Sequence, residues 1–73
     1  MELQLQIKMN EKLFLRNPEY TELGKKLIQH SINLIHKKGF EDFTFKKLAE
    51  DVGTTEASVY RYFENKHKLL IYI

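Results

Sequence analysis

Apolar residues recur along the chain with two different periods, which separate an N-terminal segment from a helical region. In residues 1–10, apolar side chains alternate with polar ones, a period of two that is typical of a strand. A lone strand without a partner is marginally stable. We therefore predict a mobile arm here, or a segment attached to a neighbouring chain. Further along, the apolar spacing becomes three and four residues, which predicts helices.

The first predicted helix has two candidate starts and one clear end. Asn17 followed by Pro18 suits an N-cap and first turn, and Thr21 is a second possible cap. Gly39 can adopt the left-handed conformation that ends a helix. Lys37 and Lys38 precede it, where positive charge favours the helix dipole. The predicted buried stripe consists of Tyr20, Leu23, Leu27, Ser31 and Leu34, widened by Ile28, Ile32 and Ile35.

Three shorter helices are predicted in the second half of the chain. Phe40 and Phe43 flank an acidic turn and are expected to fill the core between helices. The caps are predicted from the side chains that can accept a backbone N–H. Thr44 would cap a helix from Phe45 to Asp51. Thr54 or Thr55 would cap a helix from about Glu56 to Phe63. Asn65 would cap a helix that starts at Lys66.

Residues 47–62 have the plan of a helix-turn-helix, two short helices joined by a tight turn. Ala49 is small enough for the next helix to cross close above it, and Gly53 supplies the positive φ of the turn. The positions that point into the shared core are Leu48, Val52, Val59 and Tyr62. We predict an all-α fold: a three-helix, homeodomain-like helix-turn-helix domain (residues 19–73) that includes the start of a fourth helix, preceded by an arm (residues 1–18).

Composition narrows the function classes. The 73 residues allow one domain, the absence of cysteine fits a reducing cytoplasm, and the formal net charge of +2 permits nucleic acid without requiring it. No apolar run is long enough for a membrane span, and the N-terminus lacks the features of a signal peptide. His30 and His36 lie six residues apart, and His67 is distant, so we expect no metal ligation. No catalytic motif stands out, and we expect neither an enzyme nor a cofactor.

The outward side of the third helix is the candidate site. Thr55, Glu56, Ser58, Tyr60 and Arg61 can face the major groove, with the helix N-terminus nearest the base edges. An ordinary solvated helix face has the same composition, so spacing alone leaves both interpretations open. Lys8, Lys12 and Arg16 could make the arm a minor-groove arm, but Glu2 and Glu11 dilute the basic cluster that such arms carry.

The second half of the chain resembles the tetracycline-repressor (TetR) family of bacterial regulators. The matching positions are Gly39-Phe40, Thr44, Leu48-Ala49, Gly53, Thr55, Ala57-Ser58-Val59-Tyr60, Tyr62-Phe63, Lys66 and Leu69-Leu70. The resemblance implies a cytoplasmic homodimeric regulator, mostly a repressor in this family. It implies that the protein releases DNA when a small molecule binds a separate C-terminal domain, which is absent from these residues and also forms the dimer.

The same resemblance implies roles for individual residues. Thr44 would cap the second helix and touch a phosphate, Lys46 would reach the backbone or a base, and Lys66 would bind a phosphate from the start of the fourth helix. Glu56, Ala57 and Ser58 would open the recognition helix, and Tyr60 and Tyr62 would contact phosphate or bases. Thr55 and Arg61 are the further candidate DNA-contacting residues of this segment. Two residues depart from the family pattern: Thr54 replaces an apolar residue, and Glu56 places a carboxylate where it would accept from cytosine or avoid the DNA.

Two further expectations remain open. A helical protein-interaction module without DNA binding would use the same helices, and acidic residues interrupt the basic cluster around the third helix. The apolar end of the fourth helix, residues 69–73, has no polar face. We therefore expect the chain to be a fragment that binds an operator weakly by itself.

Overall fold

The computed structural model describes residues 14–73, which form a short 3₁₀ turn, Pro18–Tyr20, and four α-helices. The helices are α1 (Glu22–Lys38), α2 (Phe45–Val52), α3 (Glu56–Tyr60) and α4 (Lys66–Tyr72). No strand occurs within these residues, and the predicted all-α class is confirmed. The alternating pattern of residues 1–10, and the predicted arm before residue 14, lie outside the described residues.

Two consecutive caps define the start of α1. The Asn17 side chain accepts from the backbone N–H of Glu19 (2.9 Å) and caps the 3₁₀ turn, while Thr21 Oγ1 accepts from the N–H of Gly24 (2.9 Å) and caps α1 itself. Both predicted caps are therefore used, but in separate elements. Tyr20 ends the turn before the helix and is 83% exposed, so its predicted place on the buried stripe is wrong.

The buried face of α1 is narrower than predicted. Leu27 and Ser31 are fully buried, and the Ser31 hydroxyl donates to the Leu27 carbonyl (2.6 Å), which satisfies the one buried polar side chain of residues 14–73. Ile32 is 43% exposed and lies off this face, contrary to the prediction. Gly39 ends the helix with a positive φ of 87°, but its ψ of 157° is extended, so the predicted left-handed cap conformation is wrong in ψ.

The turn between α2 and α3 has the predicted helix-turn-helix geometry. Thr44 caps α2 through the N–H of Lys47 (3.1 Å), and α2 continues one residue beyond the predicted end at Asp51. Gly53 lies in the left-handed region (φ 89°, ψ 35°), and the N–H groups of Gly53 and Thr54 both donate to the Ala49 carbonyl (2.9 Å each). The buried Ala49 lets the two helices approach closely.

Helix α3 is shorter than the predicted range of 56–63 and ends at Tyr60. The next N–H groups donate three residues back, Arg61 to Ser58 (3.3 Å) and Tyr62 to Val59 (3.0 Å), which tightens the chain into a turn. This turn directs Tyr62 and Phe63 into the core, where both are buried. Their burial explains why the helix stops early.

One core joins all four helices. Its buried members are Leu27, Phe43, Phe45, Leu48, Ala49, Val59, Tyr62, Phe63 and Leu69. Phe43 is buried as expected, whereas Phe40 is partly buried and packs against this core. Asn65 caps α4 through the N–H of Lys68 (3.0 Å), as predicted. Half-buried Val52 packs on the core margin.

Residues 14–20 pack against the end of the domain. The N–H of Leu15 donates to the Tyr62 carbonyl (2.6 Å), and the Phe14 ring meets the Tyr72 ring edge-on (5.7 Å between centroids). The Tyr72 hydroxyl donates to Glu19 Oε2 (3.0 Å). Burial raises the pKa of the Tyr72 hydroxyl above its ordinary value, and the hydrogen bond and negative charge of Glu19 raise it further. The described part of the predicted arm is thus attached to the domain.

Candidate nucleic-acid interface

Helix α3 presents a short exposed face opposite one buried anchor. Val59 is fully buried and fixes the helix from inside. Glu56, Ala57, Tyr60 and Arg61 are exposed, because positions three and four residues apart share a helix face. Of the predicted outward residues, Thr55, Glu56, Tyr60 and Arg61 are exposed, whereas Ser58 is half-buried.

The start of α3 carries a pair of hydroxyl groups that orient each other. Thr55 caps the helix by accepting from the N–H of Ser58 (3.2 Å), and the two side-chain oxygens lie 2.9 Å apart in a hydrogen bond. Thr55 is exposed and Ser58 is half-buried. Each hydroxyl keeps capacity for another hydrogen bond, since a hydroxyl both donates and accepts.

Tyr60 forms one wall of an open groove next to the start of α2. Its ring meets the buried Phe45 ring edge-on (4.9 Å between centroids), which fixes its direction while leaving 48% of the residue exposed. The groove has a volume of about 300 Å³ and is lined by Phe43, Thr44, Phe45, Tyr60, Asn65, Lys66 and His67. Thr44 and Lys66, which are predicted phosphate contacts, thus meet Tyr60, a predicted phosphate or base contact, in one depression.

Positive charge near this surface comes from a few side chains. Lys46 and Arg61 are exposed, and within residues 14–73 neither side chain has a hydrogen-bond or ion-pair partner. Lys47 instead donates to the Asp42 carbonyl (3.0 Å), and Lys68 pairs with Glu64 (3.6 Å between Nζ and Oε1). Lys46 and Arg61 are therefore the cations best placed to bind an anion from outside.

Lys66 has a different environment from the one expected. Its ammonium donates to the carbonyls of Phe43 (2.9 Å), Phe40 (3.1 Å) and Glu41 (3.4 Å). It also lies 4.7 Å from the centroid of the Phe40 ring. The predicted phosphate ligand thus uses its three N–H groups within the domain.

Tyr62 differs most from its expected role. It is only 3% exposed, and its hydroxyl shares a hydrogen bond of 2.6 Å with Thr21 Oγ1. Arg16 lies over its ring, 5.7 Å from the centroid. A buried ring with an occupied hydroxyl has no free edge for a base or phosphate, so the structure assigns Tyr62 to the core.

The three histidines have different surroundings. His30 Nδ1 lies 2.7 Å from Asp51 Oδ2 and links α1 to α2, while His36 is exposed. His67 faces the groove, with its ring edge-on to Phe40 (5.4 Å). In the described part of the chain, no three His, Cys, Asp or Glu residues are grouped to hold a metal ion. None of the helices between residues 14 and 73 is both long and apolar enough to cross a membrane.

Sequence reasoning missed one residue of this surface, His67, and the internal contacts of Lys66. His67 had no signal of its own, because Phe43 and Thr44, which line the same groove, lie far earlier in the sequence. The contacts of Lys66 with the turn 40–43 were missed for the same reason. Both features depend on the turn 40–43 lying close to the fourth helix in space. The periodicity of the sequence does not supply that proximity.

Comparison with known proteins places this geometry in a family. The family model described as "Bacterial regulatory proteins, tetR family" matches residues 27–73. The nucleoid occlusion factor SlmA of Mannheimia succiniciproducens is 47% identical over 38 residues, which are 51% of this chain and 18% of that protein. The uncharacterized HTH-type transcriptional regulator YvkB of Bacillus subtilis is 35% identical over 47 residues, 64% of this chain and 25% of that protein.

The chain thus spans a quarter or less of the length of these curated relatives. No solved structure gave a significant match. Both alignments are short, so they bear on this domain and not on the rest of either relative.

Proposed function

Since this chain belongs to the tetR family of bacterial regulatory proteins, we propose that residues 14–73 bind double-stranded operator DNA with α3 in the major groove. One observation carries the proposal. Helix α3 is fixed by the buried Val59 while Glu56, Ala57, Tyr60 and Arg61 remain exposed behind a left-handed glycine turn. A helix that is anchored in the core on one side and exposed on the other can enter the major groove of DNA.

Phosphate contacts supply most of the affinity in this proposal. Lys46 and Arg61 approach the DNA backbone on either side of the major groove. The Thr44 and Tyr60 hydroxyls donate to phosphate oxygens. Two neutralised phosphates give a salt slope of about −2 for one domain, since each contributes about −0.9. With a net charge of only +2, a single domain binds weakly.

Base contacts come from the first turn of α3. The Thr55 and Ser58 hydroxyls are oriented by their mutual hydrogen bond and are available to base edges. The Ala57 methyl suits a thymine methyl group, and the Glu56 carboxylate either accepts from a cytosine amino group or stays clear of the phosphates. Tyr62 is not among the proposed base-contacting residues, because it is buried.

The roles of the whole protein extend this proposal. By analogy with the family, the protein is a cytoplasmic, homodimeric repressor whose C-terminal domain binds a small-molecule effector. The name of the YvkB relative, a transcriptional regulator, supports a role in transcription. Two copies on paired half-sites about 34 Å apart bind far more tightly than one, because the second contact is intramolecular.

A selection experiment tests the proposal. The 73-residue chain, alone and fused to a dimeric coiled coil, is used to select bound sequences from a random duplex pool, and binding is then titrated against salt. We expect a palindromic motif for the fused form and weaker binding by the unfused chain. A helical interaction module would enrich no motif and show no salt-dependent binding.

Charge variants make the test specific to this surface. Lys46→Gln and Arg61→Gln should each reduce the salt slope by about one unit. Lys26→Gln is the matched control, since Lys26 is exposed on α1 and is not one of the proposed contacts. Equal slopes for all three variants would refute the assigned interface.

A further inference from the structure

The segment before α1, residues 14–20, brings one arginine to the end of the proposed recognition helix. The N–H of Leu15 donates to the Tyr62 carbonyl (2.6 Å), which joins this segment to the turn after α3. Arg16, the next residue, lies over the Tyr62 ring, 5.7 Å from its centroid. Tyr62 directly follows Arg61, the C-cap of α3. These contacts therefore place the positive charge of Arg16 beside the turn in which α3 ends.

The Tyr62 ring is a fixed surface for this arginine. The residue is only 3% exposed, and its hydroxyl shares a hydrogen bond of 2.6 Å with Thr21 Oγ1. Its backbone N–H donates to the carbonyl of Val59 (3.0 Å), the buried anchor of α3. The core that holds α3 thus also sets the place of the guanidinium group of Arg16.

The hydrogen-bond donors of Arg16 are open to an acceptor from outside. Arg16 is exposed, and in the described part of the chain it has neither a hydrogen-bond partner nor an ion-pair partner. An aromatic ring attracts the positive charge but offers no oxygen acceptor to the five N–H groups. The nearest carboxylates along the chain have other partners: Glu19 accepts from the Tyr72 hydroxyl (3.0 Å), and Glu64 pairs with Lys68 (3.6 Å).

We propose that Arg16 is a further phosphate contact of this domain, which binds the DNA backbone next to the C-terminal end of α3. The inference rests on the proposed DNA binding and adds to the contacts assigned to Lys46 and Arg61. A guanidinium group suits this role, because its planar fork holds two phosphate oxygens through parallel N–H groups. The contact comes from a segment that lies before the family match to residues 27–73.

The salt dependence of binding to the selected duplex measures this contact. Each neutralised phosphate contributes about −0.9 to the slope, so Arg16→Gln should make the slope about one unit shallower. Between about 50 and 200 mM salt, the unmodified chain should therefore lose about 3.5-fold more affinity than the variant. Arg16→Lys keeps the charge and should keep the slope. Leu15→Gln is the matched control, since it changes an exposed side chain of the same segment without removing a charge.

Neutral phosphates locate the contact on the DNA. Single phosphates of the duplex are replaced in turn by methylphosphonates, and each duplex is titrated with the unmodified chain and with Arg16→Gln. We expect one or two positions at the edge of the major groove where the replacement weakens binding of the unmodified chain by about threefold or more and leaves binding of Arg16→Gln unchanged. Equal effects on both proteins at every position would overturn the proposal.

Two other roles for Arg16 give different results. Arg16→Gln should select the same motif as the unmodified chain, and loss of an A·T preference at the flanks would indicate a minor-groove contact and contradict the proposal. Arg16→citrulline, made by chemical synthesis, is neutral and nearly isosteric, and should reproduce the shallower slope even if glutamine disturbs the packing on Tyr62. A lower urea midpoint with an unchanged slope would show that Arg16 only stabilises the ring.

Failure of this inference is distinguishable from failure of the proposed function. If the unmodified chain binds no duplex, or if Lys46→Gln and Arg61→Gln leave the slope unchanged, the proposed interface itself is wrong, and the inference is overturned with it. If those two variants reduce the slope and Arg16→Gln does not, only the role of Arg16 is refuted.

Discussion

Gly24 offers a sharp test of how the N-terminal turn packs, because the backbone of Pro18 lies directly against it. A Cβ atom built on Gly24 would lie 2.2 Å from the Pro18 carbonyl oxygen and 2.5 Å from the Pro18 Cα. Both neighbours are backbone atoms, which cannot rotate away as a side chain can. Gly24→Ala therefore forces the 3₁₀ turn Pro18–Tyr20 to move from α1.

Three free-energy contributions decide the outcome. Overpacking costs about 1–3 kcal/mol. Displacement of the turn disturbs the Thr21 cap, which binds the Gly24 N–H, and loss of an N-cap costs about 1 kcal/mol. Alanine favours a helix interior over glycine by about 1 kcal/mol, and less than that in a first turn. The net expected loss of stability is about 1–3 kcal/mol.

Urea unfolding followed by far-ultraviolet circular dichroism measures this loss. A slope of about 1 kcal/mol/M is usual for a small domain, so the midpoint should fall by about 1 M or more. Gln29→Ala, an exposed position on the same helix, is the control and should change stability by less than about 0.5 kcal/mol. An unchanged or raised midpoint for Gly24→Ala would show that helix propensity dominates and that the turn is not packed as described.

Three further substitutions have separate physical causes. At Gly53, φ is 89° and nothing lies within 4 Å of an added Cβ. Replacement by L-alanine should therefore lower the free energy of unfolding by about 1–2 kcal/mol in a thermal melt, and replacement by D-alanine, placed by chemical synthesis, should lower it less. Equal losses of stability would refute a purely conformational origin. Tyr62→Phe should lower the free energy of unfolding by about 0.5–1.5 kcal/mol, because the hydrogen bond to Thr21 is lost, and the variant should select the same DNA motif. A changed motif would show that Tyr62 contacts the bases. Because the folded-state pKa of Tyr72 is raised above 10.0, its neutral form contributes stability below pH 10, and this stability disappears as pH rises through the folded pKa. Glu19→Gln should lower that pKa in an ultraviolet titration. An unshifted pKa would contradict the Glu19 contact.

The caps and the central turn could be predicted because they depend on residues close in sequence. Thr44, Thr55 and Asn65 each accept an N–H three residues ahead, and Gly53 adopts the left-handed conformation by itself. Each such feature needs only the local chain. The exposed face of α3 followed in the same way, once Val59 was assigned to the core.

One error comes from a misplaced helix start, and the others arise where a contact joins distant residues. The spacing of Tyr20 from Leu23 and Leu27 fits the helix stripe, but the helix begins only after Thr21. Tyr20 therefore lies outside the helix to which that spacing applies. Tyr62 belongs to both the core pattern and the family's contact pattern, and only its bond to Thr21, 41 residues away, decides between them. The docking of Phe14 on Tyr72 has no signal in periodicity at all.

The geometry of α3 shows why its neighbours matter more than its own sequence. A five-residue helix does not form alone in water, since nucleation costs more than so few bonds return. Its shape comes from contacts outside it: Val59 in the core, Tyr60 against Phe45, and the Gly53 turn bonded to Ala49. These contacts use none of the side chains proposed to meet the bases. Base preference can therefore change through the first turn of α3 while the helix stays in place, whereas a change in the surrounding contacts alters the position of every reader at once.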